Sequence, residues 1–159
     1  MKTTLFLILT GFLLLGLHDR LKAQELTRQQ KSTIEKEVDS VFLTMVKAAE
    51  DLDYDKISRG VDDRYNAGFI VNGTYYARYD SLVSVLNSNL RVGTKQRIVI
   101  QNKKITALSD RLVLLTASGD ADVEPSGGQP FHVRFLWSFV YEKINNGWKV
   151  IQSHQSGVR

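Results

Sequence analysis

The stretch Trp137-Ser-Phe-Val-Tyr-Glu-Lys-Ile144, followed by Asn145-Asn-Gly-Trp-Lys-Val-Ile-Gln-Ser-His154, decides the fold of this 159-residue chain. Aromatic and β-branched residues from 131 to 144 predict a long strand. Asn145-Asn-Gly147 predicts a tight turn, because Asn and Gly tolerate positive φ. Residues 148–154 predict the returning strand, so the last quarter of the chain forms a β-hairpin.

Two registers of this hairpin are open from the sequence. A two-residue turn at Asn146-Gly147 pairs Phe139 with His154, whereas a three-residue loop pairs Ser138 with His154. Because adjacent residues of a strand face opposite ways, the two registers give His154 different partners.

Two more strands precede the hairpin. Residues 97–108 alternate apolar and polar positions, and residues 112–123 have one apolar face and one face that becomes polar at Asp120 and Asp122. The Pro- and Gly-rich segment 124–130 is a loop by composition. The second half of the chain is therefore a strand meander.

Helices are predicted in the first half. Thr27 and Gln30 have the spacing of a capping box, and the apolar residues that follow recur at steps of three and four, which predicts a helix over 27–51. Asn72-Gly73 predicts a type I′ hairpin, and Asp80 is expected to cap a second helix. Helices followed by a meander predict an α+β fold, with a curved antiparallel sheet and helices on one face.

The composition is that of an ordinary globular protein, with 43% hydrophobic and 24% charged residues. The absence of cysteine excludes disulfides, thiolate catalysis and cysteine-ligated metal centres. A net charge of +4, without a basic stripe interleaved with aromatics, is too weak to indicate nucleic-acid binding. We predict one domain with no nucleic-acid partner and no cofactor.

The amino terminus has the features of a secretory signal. Lys2 precedes an apolar run from Leu5 to Leu17, which spans about 20 Å as a helix, short of the roughly 30 Å hydrocarbon core. A basic start and a short apolar run followed by a small residue are typical of a signal peptide. We expect residues 1–23 to be removed and residues 24–159 to be exported, periplasmic or secreted, without stable membrane insertion. An uncleaved membrane anchor is the alternative.

The ending Gly147-Trp-Lys-Val-Ile, then His154-Gln-Ser-Gly157, resembles the closing hairpin of the SnoaL-like, nuclear transport factor 2-like superfamily. It also resembles the end of the association domain of calmodulin-dependent protein kinase. The resemblance implies a cone, in which a bent sheet wraps around the N-terminal helices and leaves a pocket at the wide end. It also implies dimers formed through the outer face of the sheet. Members include isomerases, cyclases, dehydratases, hub domains and binding modules, so the fold does not name a reaction.

His154 and Ser156 lie where the resemblance is strongest. An imidazole at the end of a strand can sit at a pocket rim and act as an acid, a base or a hydrogen-bond donor. A structural histidine paired with a backbone carbonyl or with Ser138 is the alternative. Asp120, which shares a strand face with Asp122, is the second candidate for proton transfer.

Other candidate ligand-binding residues lie on the long strand. His132 and Arg134 share a face with Ser138 and can form a positive end of a pocket that grips a carboxylate. A solvated strand end is the alternative. Trp137 and Tyr76 supply rings for an apolar pocket, although rings equally suit a filled core or a dimer face. The scattered carboxylates and histidines fit no ligand spacing, so no metal site is predicted.

Three functions fit these observations. The first is an exported domain that binds a small apolar or weakly acidic molecule without efficient catalysis. The second is an isomerase, dehydratase or cyclase that uses His154 or Asp120 for proton transfer. The third is a dimeric structural or interaction domain with no ligand. A homodimer is expected because apolar residues, such as Trp137 and Leu136, lie on both faces of the long strand.

We predict that the exported protein begins at Gln24, because the short apolar run ends just before Leu21-Lys-Ala23. N-terminal sequencing of periplasmic or secreted material should read from Gln24. An intact Met1 in a stable membrane fraction would contradict the prediction.

Overall fold

The described residues of the computed structural model, 25–90, 93–125, 128–145 and 147–158, form three helices and six strands. In chain order these are α1 (Arg28–Glu50), α2 (Tyr54–Arg59), β1 (Phe69–Val71), β2 (Thr74–Tyr76), α3 (Tyr79–Leu90), β3 (Gly93–Ala107), β4 (Leu112–Pro125), β5 (Phe131–Ile144) and β6 (Gly147–Val158). The predicted signal lies outside the described residues. Within them, no helix has the length and apolar character needed to cross a membrane.

Helix α1 begins where the sequence predicts. The Thr27 hydroxyl accepts a hydrogen bond from the Gln30 N–H at 3.2 Å, and the Gln30 side chain accepts one from the Thr27 N–H at 2.8 Å. This reciprocal capping box satisfies two backbone donors that a helix start leaves free. The apolar stripe of α1 then buries Ile34, Val38 and Phe42.

The β1–β2 hairpin is confirmed, but the start of α3 differs from the prediction. Asn72 and Gly73 have φ of 49° and 80°, as a type I′ turn requires. Asp80 lies inside the first turn of α3, which begins at Tyr79, so it is not the cap. The Tyr79 N–H donates instead to the Asp63 carboxylate at 3.1 Å, and this contact reaches the helix from 16 residues away.

One curved, unclosed sheet holds all six strands in the order β2-β1-β6-β5-β4-β3. The pairs are antiparallel except for β1 with β6, which is parallel. The predicted α+β fold is confirmed, with the difference that the sheet is mixed. The strand meander β3 to β6 is antiparallel as expected, and the short hairpin β1–β2 extends it beside β6.

The β5–β6 hairpin contains one irregularity. Tyr141 pairs with Val150, but the next pair is Val140 with Gln152. Ile151 is therefore an extra residue in β6, which makes a β-bulge.

The bulge determines on which face of the sheet the side chains at the end of β6 lie. Beyond it, Ser138 pairs with His154 and Phe139 pairs with Ser153. Paired residues share a face of the sheet. His154 consequently lies with Ser138 on the outer face, away from the helices, and Ser153 lies with Phe139 on the inner face.

This register is one of the two that the sequence left open, but it arises by a different route. The sequence linked the Ser138–His154 pair to a three-residue loop. In the structure Ile144 pairs with Gly147, so the turn has two residues. The bulge, rather than the turn, supplies the extra residue.

The close approach of β3 to β4 requires a glycine at position 119. A Cβ there would lie 2.0 Å from the Val99 carbonyl oxygen and 2.7 Å from the Phe135 ring. The space above the glycine is filled by Phe135, which stacks on Trp137 with ring centroids 3.9 Å apart. This stack fixes the position of Trp137 on the inner face.

Trp148 joins the closing hairpin to α1. Its side chain is buried, and its indole N–H donates to the Glu37 carboxylate at 2.8 Å. The Lys143 ammonium donates to the same carboxylate oxygen at 3.0 Å. The Trp148 hydrogen bond, followed by that of Lys143, lowers the pKa of Glu37. The first and last elements of the fold therefore meet at one carboxylate.

We predict that Trp148→Ala lowers the free energy of unfolding by about 3–5 kcal/mol, because it leaves a cavity and removes the Glu37 contact. His154→Ala, on the same strand, should cost no more than a neutral hydrogen bond, about 0.5–1.5 kcal/mol, because the imidazole is exposed. Urea unfolding at constant m-value measures both. Equal losses would show that His154 is a structural residue.

Candidate functional site

A cavity of about 230 Å³ lies between the helices and the inner face of the sheet. All three helices and the strands β1, β3, β4, β5 and β6 contribute to its wall. Its lining residues are Phe42, Met45, Val46, Ala49, Tyr54, Ile57, Val61, Phe69, Tyr79, Leu82, Leu86, Gln96, Ile98, Ala121, Trp137, Phe139, Tyr141, Val150, Ser153 and Gln155. We call this space the cone cavity.

Alternate residues of β5 form the aromatic wall of the cone cavity. Trp137 and Phe139 meet edge to face with centroids 6.1 Å apart, and Phe139 and Tyr141 lie 6.2 Å apart. Phe42 of α1 closes on Phe139 at 6.0 Å. Such tilted and edge-to-face contacts are favourable for rings. The wall is therefore rigid, apolar and suited to a ring-bearing molecule.

The lining of the cone cavity carries no Asp, Glu, His, Lys or Arg among the described residues. Its titratable groups are phenols. Burial raises the pKa of Tyr79 to about 12, and burial also raises the pKa of Tyr141. Because these shifts favour the neutral form, the phenols stay protonated near neutral pH. They can donate hydrogen bonds but cannot act as bases.

The predicted site residues divide between the two faces of the sheet. Trp137 lines the cone cavity as expected, and Tyr76 is half-buried and packs against the core. The others lie on the outer face, which the sheet separates from the cavity; these are Asp120, His132, Arg134, Ser138, His154 and Ser156. The strand register therefore places His154 and Trp137 on opposite faces of the sheet, and His154 does not line the cone cavity.

A broad, open groove of about 530 Å³ crosses the outer face. The residues Lys104, Thr116, Ser138 and His154 lie opposite one another on successive strands and form a polar row across it. The His154 Nε2 atom lies 3.3 Å from the Ser156 hydroxyl. The expected closeness of His154 to Ser156 and Ser138 is thus observed, but on the outer surface.

A second outer-face cluster surrounds His132. Its Nδ1 lies 2.9 Å from the Asp122 carboxylate, and its Nε2 lies 3.1 Å from that of Asp120. Gln101 also donates to Asp120. The hydrogen bonds to Asp122 and then to Asp120 raise the pKa of His132. His132 therefore pairs with carboxylates of its own chain, whereas the sequence-based hypothesis used it to grip a ligand's carboxylate.

Sequence reasoning missed the polar part of the cone cavity. Tyr54, Tyr79, Gln96, Ser153 and Gln155 all line it. The bulge is the reason why Ser153 and Gln155 were not predicted. Trp148 and Val150 face inward, and simple alternation then predicts that residue 154 faces inward too. No sequence pattern indicated that Tyr54 and Tyr79 face the cavity, since long-range packing sets the orientation of their helices.

We predict a pH-dependent contribution of His132 to stability. A raised pKa in the folded state stabilises the fold below the unfolded value of about 6.5, and this contribution is lost as pH rises through the folded pKa. The difference in free energy of unfolding between wild type and His132→Gln should therefore be larger at pH 5.5 than at pH 9. Denaturant unfolding at both pH values measures it.

The control is Arg64→Gln, because the Arg64 guanidinium pairs with the Asp62 carboxylate at 2.6 Å, without His132, and stays charged over this range. Its effect should be the same at both pH values. A His132→Gln effect that did not change with pH, or that grew toward pH 9, would contradict the prediction.

Solved structures share this architecture at low sequence identity. A protein provisionally named scytalone dehydratase, from Novosphingobium aromaticivorans, superposes with a TM-score of 0.75 at 7% identity over 84% of this chain and 89% of that one. A nuclear transport factor 2-like protein from Salmonella enterica gives 0.71 at 16% identity over 80% and 93%. A provisionally named calcium/calmodulin-dependent protein kinase II association domain from Xanthomonas campestris gives 0.66 at 19% identity over 77% and 86%. These likenesses establish the fold alone.

No curated protein matches the chain significantly. The family model for the SnoaL-like domain matches residues 38–159, which include all six strands and most of α1. The match extends through the closing hairpin whose residues first suggested the relationship. This chain therefore belongs to the SnoaL-like family.

Proposed function

We propose that this protein binds a small, largely apolar molecule in the cone cavity and does not catalyse a reaction efficiently. The observation that carries the proposal is the lining itself. It combines a wall of aromatic rings with a few hydroxyl and amide groups and, among the described residues, no charged side chain. Apolar pockets with a small number of placed polar groups are typical of small-molecule sites.

The same lining argues against efficient acid–base catalysis. A general base must lie within hydrogen-bond reach of the proton that it removes, with a pKa near the working pH. His154 and Asp120, the residues suggested for that role, lie on the outer face, on the far side of the sheet from the cone cavity. The dehydratase name of one structural neighbour, at 7% identity, supplies no residue for the reaction.

We also propose that the protein acts outside the cytoplasm. The support is the sequence of residues 1–23, in which a basic start precedes a short apolar run and ends at Ala23. An exported domain of this kind would meet its ligand in the periplasm or in the medium.

We further propose that the outer face is the interface of a homodimer. Leu136 is 60% exposed on this face, and Leu114 and Val140 pair with each other on the other side of the Thr116–Ser138 pair. Charged residues surround this face, with the His132 cluster at one end of the strands, the paired Glu142 and Lys149 at the other, and Lys104 on the edge strand β3. An apolar and hydroxyl-bearing centre with a charged rim is the usual anatomy of a protein interface.

We predict that Ala49→Leu weakens binding in the cone cavity, because three added carbon atoms take up space that a ligand needs. Ethylbenzene is a suitable probe, since an engineered apolar cavity of about 150 Å³ already admits benzene. Titration calorimetry should show binding to wild type and at least about tenfold weaker binding to the variant, a difference of about 1.4 kcal/mol.

Thr44→Leu is the matched control, because it adds a leucine to an exposed position of the same helix. It should bind ethylbenzene as wild type does. Equal binding by wild type and Ala49→Leu would place the probe elsewhere and contradict the proposal.

We predict that Leu136→Lys converts a dimer into a monomer, because a buried lysine without a partner opposes association. Light scattering at micromolar concentration should give the dimer mass for wild type and the monomer mass for the variant. Leu43→Lys is the control, since Leu43 is an exposed leucine on α1, 48% accessible, and should leave the dimer intact. A monomeric wild type would contradict the proposed interface.

A further inference from the structure

The polar groups that line the cone cavity differ in how well their hydrogen-bonding capacity is met. Gln96 donates its amide to the Ala49 carbonyl, and Gln155 donates to the Ser153 hydroxyl at 3.2 Å. The Tyr79 hydroxyl is paired with Ser58. Each of these groups has a nitrogen or oxygen partner within the protein.

Two phenols in the described lining lack such a partner, Tyr54 and Tyr141, and of these Tyr54 is only half-buried. Tyr141 is the deeply buried one. Its side chain is fully buried, and its hydroxyl lies 3.8 Å from the Met45 sulfur atom, which is the contact that the structure gives it. A thioether is a weak acceptor, whereas buried hydroxyls ordinarily find an oxygen or nitrogen partner. Tyr141 and Met45 both line the cone cavity. A strong donor with a weak partner therefore belongs to a residue of the cavity wall.

Burial favours the protonated form of this phenol. It raises the pKa of Tyr141, so the hydroxyl keeps its proton across the physiological range. The group is a permanent donor in surroundings of low polarity, where an unmet hydrogen bond costs free energy and a formed one is strong. A ligand with an acceptor atom at this point would form the strong hydrogen bond that the Met45 sulfur does not provide.

We propose that the Tyr141 hydroxyl determines specificity by donating a hydrogen bond to a carbonyl oxygen of an uncharged, ring-bearing ligand in the cone cavity. The inference rests on the proposed ligand-binding function and narrows its ligand class. The rings of Trp137 and Phe139 flank the ligand, and the phenol marks where its oxygen lies.

The described lining carries no charged side chain, and this determines which charge state of a ligand the cavity binds. A carboxylate in this cavity would lose its hydration without meeting a lysine, arginine or histidine. Of the apolar or weakly acidic molecules expected from the sequence, the cavity therefore selects those that are neutral when bound. Arg134 and His132, which the sequence predicts to grip a carboxylate, lie on the outer face.

The experiment compares acetophenone with ethylbenzene, which has the same ring and two-carbon substituent but lacks the carbonyl oxygen. Tyr141→Phe removes one hydroxyl and keeps the ring. It should bind acetophenone roughly 2- to 12-fold more weakly than wild type, as expected for one neutral hydrogen bond, and bind ethylbenzene equally well. Tyr79→Phe is the control, because it removes a phenol oxygen that already has a protein partner, and it should not discriminate between the probes. Titration calorimetry measures each affinity, and thermal unfolding verifies that each variant is folded.

The outcomes separate this inference from the function on which it rests. If ethylbenzene binds but Tyr141→Phe weakens neither probe, the hydroxyl is not a ligand donor and the inference fails while the cavity remains a binding site. If neither probe binds folded wild type, both proposals fail. Benzoate at pH 7 should bind wild type at least about tenfold more weakly than acetophenone, and equal affinity would overturn the claim that the ligand is uncharged.

Discussion

The pairing of β5 with β6 shifts register between Val140 and Tyr141, and Ile151 is the residue left over. Side chains alternate between the faces of a strand, so one extra residue reverses the orientation of everything that follows. Before the bulge, Trp148 and Val150 point toward the helices; after it, Ser153 and Gln155 do. An unbulged strand would place His154 opposite Trp137, inside the cone.

This reversal sets the chemistry of both faces. The inner face receives a hydroxyl and an amide, which are neutral, and the outer face receives an imidazole. The described lining of the cone cavity consequently offers uncharged hydrogen-bonding groups. The phenol of Tyr141 is the most deeply buried polar group of the described lining that lacks a nitrogen or oxygen partner.

Local chemistry predicted those parts of the fold that depend on neighbouring residues. Thr27 and Gln30 start α1, and Asn72-Gly73 turns the first hairpin, because each motif satisfies backbone groups within a few positions. The start of α3 was predicted wrongly, since Asp63 reaches it from a distant part of the chain. The bulge at Ile151 likewise has no local signature, so the candidate site was assigned residues from both faces.

The proposed function requires that ligands enter the cone cavity and that His154 lies outside their binding site. Nuclear magnetic resonance shift mapping of isotope-labelled protein, titrated with ethylbenzene, tests it most directly. The signals of Trp137, Phe139 and Tyr141 should move with added probe, while those of His154 and Ser156 should not. Shifts confined to His154 and Ser156, with the ring signals unchanged, would contradict it and move the binding site to the outer face.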